Sequence, residues 1–303
     1  MERTTTGTVR GLLRGLAAGE ALGAASPGAG GVLRHGVAAQ LACASAEGLL
    51  RAGTGTDPVA EVHAAYRRWS QRYRAFAASG PSLLHEDRGP SGATSRALAT
   101  GAAGTLRDPL TTSAGWHAVV RALPVAALGL TEDGADSAVA LTAARTAVLT
   151  HGHVTAAPAG IAALVAAAAL RGTPLTGAVG HALAAAVLAG LDARAVWAAD
   201  AAVRAAHRTP GDPQLAEVLG GGPACTGVLA AAVYAVLSHP REPRLALRLA
   251  LTAPRAAGAG ALAGAWLGAA HGPEALPARV DVADVLDALA DRLTDGVGGR
   301  RGA

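Results

Sequence analysis

Residues 252–272 read TAPRAAGAGALAGAWLGAAHG. The back half is small and apolar, and Gly264, Gly268 and Gly272 recur at intervals of four. That spacing puts them on one stripe of a helix, where the missing side chains let the backbone approach a neighbour closely. A second ladder opens the chain: Gly11, Gly15, Gly19 and Gly23 in VRGLLRGLAAGEALG, residues 9–23. It too predicts a close helix-packing stripe.

Working outward, helical periodicity runs from end to end, punctuated by Gly and Pro around residues 26–31, 53–58, 79–81, 211–213 and 220–223. Alternating runs of Val, Ile, Tyr or Phe are lacking, and no repeat of fixed period appears. The expectation is an all-α, multi-helix globule forming a single domain over residues 1–303. Its core covers about residues 9–293, with short flexible termini, and its last amphipathic helix runs from Val280 to Leu293.

Composition narrows the function classes. Just over half the residues are hydrophobic, yet aromatics make up only 3%, so the core is packed by close helix contacts rather than large rings. All 26 basic residues are arginine, and the formal charge of +4 is spread along the chain. A nucleic-acid binder would cluster its basic residues with aromatics among them, so no nucleic-acid partner is expected. The one aromatic-rich stretch, YRRWSQRYRAF at 66–76, places Tyr66, Trp69 and Tyr73 on one helix face, which reads as packing anchors rather than a base-stacking platform. Cys43 and Cys225 form no CxxC pair and read as buried small apolar residues. The N-terminal apolar run is broken by Arg14 and Glu20, unlike a signal peptide. The most apolar segment, Val154 to Leu170, contains Pro158 and falls short of the roughly 20 residues a membrane span needs. A cytoplasmic protein with no membrane association is expected.

Several blocks in order resemble the ADP-ribosylglycohydrolase family, the fold of dinitrogenase reductase-activating glycohydrolase. Residues 11–23 resemble its opening Gly-x-x-x-Gly-x-x-x-Gly-Asp-Ala-x-Gly, with Glu20 in the Asp place. VAAQLACASAEGLL at 37–50 resembles a helix that in the family begins Thr-Asp-Asp-Thr-Gln, in register with Gln40, Glu47, Leu49 and Leu50. RGPSGATSRAL at 88–98 resembles an Arg-x-Pro-Gly-x-Thr segment, with Ser91 in the glycine place. SAGWHAVVRALP at 113–124 resembles the Ser-x-Gly-x-Gly-x-x-Met-Arg-x-x-Pro loop, and LTHGHVT at 149–155 resembles Thr-His-Gly-His-Pro. The opening stretch resembles the family's C-terminal signature, in which Gly-Gly-Asp-Thr-Asp-Thr leads into Gly-x-x-x-Gly-Ala-x-x-Gly.

The resemblance implies the fold for nearly the whole chain. Family members hydrolyse ADP-ribosyl glycosidic bonds with two Mg or Mn ions, and the family's ligand positions fall here on Gly36, Val37, Ala38, Arg255, Ala257 and Gly258. None carries a side-chain oxygen, whereas hard divalent cations want about six oxygen ligands. Arg255 adds a guanidinium that stays protonated where a cation would bind. The resemblance therefore implies a pseudoenzyme with no metal and no cofactor, acting through binding or assembly with a protein partner or a second copy of itself. Glu20 is the one carboxylate remnant, expected to pair with Arg255 inside the old metal cavity.

The family's glycine-rich loop lies against the ADP-ribose diphosphate, as bare N–H groups at a helix start suit an anion. The alternative is thus a residual ADP-ribose or nucleotide binder using Ser91, Ser113, Gly115, Trp116, His117, Arg121 and His151, with Arg88 beside them. Against it, Trp116 and His117 place bulk where bare backbone is wanted. His151 and His153, at i and i+2, share no helix face, which reads as a helix-connecting turn rather than a metal site. A third reading is a metal-independent hydrolase using Glu20, Glu86 or Asp87 with His117 or His151, since carboxylate pairs can cleave glycosidic bonds.

Overall fold

The computed structural model describes residues 5–25, 28–52, 55–79, 88, 91–130, 135–276 and 279–299. In chain order the helices are α1 (Thr5–Gly23), α2 (Val37–Arg51), α3 (Pro58–Ser79), α4 (Gly92–Ala99), the short α5 (His117–Val120), α6 (Asp136–Val148), α7 (Ala156–Leu170) and α8 (Leu175–Leu188). There follow α9 (Ala193–Arg208), α10 (Pro213–Gly220), α11 (Ala224–Ser238), α12 (Pro243–Ala250), α13 (Ala256–His271) and α14 (Ala283–Gly299). Among the described residues the only β pairing is an isolated parallel bridge between Leu33 and Val280. The fold is all-α, as the sequence predicts.

The two glycine ladders are partners of each other. α1 and α13 run antiparallel, with Gly11 against Gly268, Gly15 against Gly264, Gly19 against Gly260 and Gly23 against Ala256. A Cβ on Gly15 would lie 2.0 Å from the carbonyl oxygen of Gly264, and one on Gly264 would lie 2.2 Å from that of Gly15. The helices touch backbone to backbone, closer than the 8–10 Å between axes of ordinary helix pairs. On the other side of α1, Arg10 makes a two-pronged bond to Asp291 at 2.7 and 2.6 Å, and Arg14 does the same with Asp287. These pairs fix α14 along α1.

The α13 face away from α1 meets the rest of the core. Trp266 is fully buried and its Nε1–H donates to the Ala162 carbonyl of α7 at 3.1 Å. Every residue of α7 is buried. The stretch His153–Leu170 is long and apolar enough to cross a membrane by length and composition, but 89% of it is buried inside this fold, as suits the central helix of a globule.

One boundary differs from expectation. The last helix starts at Ala283 rather than Val280, because Val280 pairs with Leu33 and Asp281 N–H donates to the Leu33 carbonyl. α11 begins at Ala224, after Pro223, which fills the position before the helix. Of the aromatic face on α3, Tyr66 and Trp69 are buried, Tyr66 donating to or accepting from Ser45 at 2.6 Å. The side chain of Tyr73, and Glu86 and Asp87 altogether, lie outside the described residues.

Candidate functional site

The site starts at the far end of the glycine-locked pair. Glu20 lies near the C-terminus of α1, is only 3% exposed, and points at the first turn of α2. Its Oε1 accepts from Ala38 N–H and its Oε2 from Ala39 N–H, each at 2.8 Å. The first N–H groups of a helix lack intrahelical partners, and Gly36 at the N-cap has no side chain to supply one. Glu20 does so from another helix. A Cβ on Gly36 would fall 2.2 Å from Oε1, so glycine is what admits the carboxylate. Burial pushes the Glu20 acid up to about 7 against the opposing pull of the Ala38, Ala39 and Gly36 N–H groups. Cys43, one turn along α2, is raised to about 12, first by its own burial and then by Glu20.

The expected Arg255–Glu20 pair does not form. Arg255 is the residue before α13, and its Nη1 donates to the Gly220 carbonyl at 2.8 Å. Gly220 ends α10, so its carbonyl belongs to the orphaned, partly negative end of that helix, which draws the guanidinium there. Glu20 already has its helix N-terminus.

Of the other positions singled out, Val37, Ala38 and Gly258 are buried, while Gly36 and Ala257 are half-buried. Gly258 supports Trp116: a Cβ there would come within 2.8 Å of Trp116 Cδ2 and of Val228 Cγ1. Trp116, the residue before α5, stacks on His117 with ring centroids 3.8 Å apart and planes at 20°. The pair therefore lies over the first turn of α13.

The Ser113–Gly115 segment is held on three sides. Gly152 N–H donates to the Ser113 carbonyl, Cys225 N–H to the Ala114 carbonyl, and Gly115 N–H to Ser113 Oγ. His151 closes over it, with Nε2 only 2.8 Å from where a Gly115 Cβ would be. The 149–155 segment links α6 to α7 as expected, with His151 buried and His153 exposed. Ser113, Gly115, Trp116, His117 and His151 thus form one constellation.

Arg121 and Ser91 lie behind it in the core. Arg121 is fully buried, with Nη1 donating to Thr94 Oγ1 and Nη2 to the Thr146 and Ala147 carbonyls, and its guanidinium stands 4.7 Å from the Tyr66 ring centroid. Ser91 Oγ bonds to Thr94 Oγ1 at 2.8 Å. Burial lowers the Arg121 pKa. His117 is held down to about 4 by burial and then by the Arg121 charge, and His151 to about 2 by burial, Arg121 and His117 in turn. Both rings are neutral at pH 7.

One network escaped the sequence reading. His35, fully buried, donates from Nδ1 to Asp281 Oδ1 at 2.7 Å, which leaves Nε2 to accept from Gln40 Nε2 at 3.2 Å. Arg88 Nη2 donates to Asp281 Oδ2 at 3.2 Å. The partners are separated by up to 246 residues, and no local spacing announces them.

An all-α globule built on a backbone-locked helix pair, with a carboxylate and a glycine-bearing loop gathered at helix starts, is the class these features define. The ADP-ribosylglycohydrolase family model matches residues 1–303, and the chain belongs to that family. A solved structure described as an "ADP-ribosylglycohydrolase-related protein complex" superposes with a TM-score of 0.62 at 24% identity, covering 97% of this chain and 99% of that one. Likeness at that identity speaks for the fold. Comparison with curated proteins gives no match.

Proposed function

We propose that this member of the ADP-ribosylglycohydrolase family is a pseudoenzyme without a dinuclear metal centre, acting through binding or assembly. The observation that carries the reading is the engagement of Glu20. The carboxylate nearest the expected site has both oxygens on the N–H groups of Ala38 and Ala39, and the surrounding positions offer a metal nothing. Gly36, Val37, Ala38, Ala257 and Gly258 have no side-chain donor, and Arg255 is a cation. Among the described residues no three His, Cys, Asp or Glu side chains come together. This donor set does not fit two hard dications, whose mutual repulsion needs several anionic ligands.

A second reading, an ADP-ribose or nucleotide binder, is favoured by the constellation of Ser113, Gly115, Trp116, His117 and His151. Arg121 and Ser91 weigh against it, since both are buried and engaged with Thr94. A metal-independent hydrolase would need the Glu20 carboxylate free to exchange a proton with substrate, and its two backbone bonds oppose that.

The test is calorimetric titration with Mn²⁺ and then ADP-ribose, with melting followed in parallel. A ligand of the native state raises stability as RT ln(1 + [L]/Kd). No heat and no melting shift from either is expected. ADP-ribose binding without metal would install the second reading, and metal-dependent binding would overturn the pseudoenzyme.

A further inference from the structure

The helix α8 reads LTGAVGHALAAAVL and contains no Asp, Glu or Arg. A helix that is apolar all round is normally buried all round. The three other long helices without a formal charge, α7, α11 and α13, obey this, and His271 is the one exposed residue among them. α8 does not. Its inner side buries Leu175, Ala178, Val179, Ala182 and Ala186 against α7, while half of its fourteen residues are exposed. No other long helix combines an uncharged sequence with a bare face.

The exposed positions, among them Gly177, Gly180, Ala184, Val187 and Leu188, recur every three or four residues and so form one stripe. Its two ends differ in size. At the C-terminal end Val187 is 61% and Leu188 89% exposed, Leu188 being the barest large apolar side chain among the described residues. Trp197, just past the turn into α9, is 68% exposed, so apolar groups gather at this end. The N-terminal half is hollow by comparison, and a Cβ on Gly180 would meet nothing within 4 Å. Along one edge His181 pairs with Asp136, which also holds Arg171, so the rim charges balance one another. An apolar centre with a polar rim is the anatomy of a protein interface.

We infer that the exposed face of α8 is where a second copy of this chain docks, the two α8 helices lying antiparallel about a two-fold axis that passes close to residue 182. Size complementarity selects this occupant. When Gly180 faces the partner's Ala184, the partner's Val187 comes over Gly177 and the partner's Leu188 over Thr176, and the two-fold repeats both contacts. The large end of each helix thus seats on the small end of the other, the self-complementarity that an isologous dimer requires. A charged peptide would find no counter-charge on this stripe. A membrane-surface helix carries Lys or Arg beside its apolar face, and α8 has neither. The face lies outside the Glu20 constellation, so the dimer stands or falls separately from whether that constellation binds a ligand.

The experiment is sedimentation velocity of the full chain from about 1 to about 200 µM, because one helix face is smaller than the roughly 800 Å² per partner of a tight interface and should associate in the micromolar range. The expected result is a monomer at the low end and a doubled mass at the high end. Ala184→Glu, which sets two carboxylates near the two-fold axis, and Leu188→Glu should each weaken association roughly tenfold or more, since each leaves a charge unpaired in an apolar contact. Gln214→Glu, exposed on α10, should leave it unchanged. At the low end, where the parent is monomeric, all three variants should melt within about 2–3 °C of it, as for surface substitutions. Orientation is read by mild oxidation of an equimolar mixture of Gly180→Cys and Ala184→Cys chains, which should cross-link more than either alone, the native Cys43 and Cys225 being buried. A chain monomeric throughout, association indifferent to both α8 substitutions, no excess of cross-linking in the mixture, or a monomer that instead sediments with vesicles of phosphatidylcholine and phosphatidylglycerol would each overturn the proposal.

Discussion

A Cβ placed on Gly15 would lie 2.0 Å from the carbonyl oxygen of Gly264. That oxygen is backbone and cannot turn aside, so the two helices would have to separate. Separation would strip contact along the whole ladder, since Gly11 and Gly19 meet Gly268 and Gly260 in the same way. Gly15→Ala should therefore cost at least about 3 kcal/mol, in the range of severe core overpacking, despite alanine's better helix propensity. Gly180→Ala is the contrast. Gly180 is exposed within α8 and its Cβ would meet nothing within 4 Å, so that change should stabilise by roughly 0.5–1 kcal/mol. Urea midpoints of both variants check the pair, and equal effects would contradict a backbone-locked interface.

Glu20 predicts an unusual pH dependence. Its acid has a raised pKa of about 7 in the folded chain against 4.5 as the ordinary value. Below pH 4.5 both states hold the proton and the contribution to stability is complete. Between pH 4.5 and 7 the unfolded chain releases the proton while the folded chain keeps it, so stability falls as pH rises. Above 7 the loss levels off, having reached roughly 3 kcal/mol. His117 and His151 act with the opposite sign, because their lowered pKa values make stability fall as pH drops below their ordinary 6.5. The informative quantity is therefore the difference between the parent and Glu20→Gln. Measured by urea unfolding, the parent should lose stability relative to the variant from pH 4.5 to 7, and parallel curves would refute the assignment.

How much of this was legible in the sequence depends on the range of the interaction. Both glycine ladders could be read because a four-residue interval is a local pattern with one physical meaning. Their mutual pairing could not, since Gly15 and Gly264 are distant in the chain and any helix with a smooth face could have been the partner. The same limit explains Arg255. Its residue type announced a fixed charge, but only the fold shows the C-terminal carbonyl of α10 within reach at 2.8 Å. The bulk of Trp116 and His117 in the loop was visible, but the packing of Trp116 against Gly258 was not, since those two residues are also distant in the chain. The His35–Asp281–Arg88 network gave no signal, because it is assembled by the bridge between Leu33 and Val280, and Val280 reads in the sequence as the first residue of the last amphipathic helix.

Arg121 is a buried cation whose partners are a hydroxyl, two carbonyls and an aromatic ring rather than a carboxylate. Arg121→Met keeps much of the apolar volume and removes the charge, leaving Thr94 Oγ1 and two carbonyls to find other donors. A loss of about 2–4 kcal/mol is expected, as for a broken buried polar network. Because the Arg121 charge is the second cause holding His117 down, after burial, the His117 pKa should rise in the variant while remaining below its ordinary value. Histidine ring proton shifts followed through an NMR titration check this, and an unmoved His117 would mean that the charge does not reach it.

Trp116 and Gly258 form the last testable pair. Gly258→Ala would bring a methyl group within 2.8 Å of the indole and of Val228 Cγ1, both of which must shift. Overpacking of this kind costs typically ~1–3 kcal/mol. Trp116→Ala alone removes the stacking on His117 and uncovers the first turn of α13, at a cost of about 1–3 kcal/mol for a half-buried ring. Combined, the second change removes one of the two obstacles created by the first. The double variant should therefore be more stable than the sum of the single losses by about 0.5–2 kcal/mol, the coupling typical of residues in contact. Only part of the Gly258→Ala penalty is relieved, since Val228 remains. Full additivity in urea unfolding would show that the indole does not rest on Gly258, and would remove the physical basis for regarding Trp116 as the cover of the α13 start.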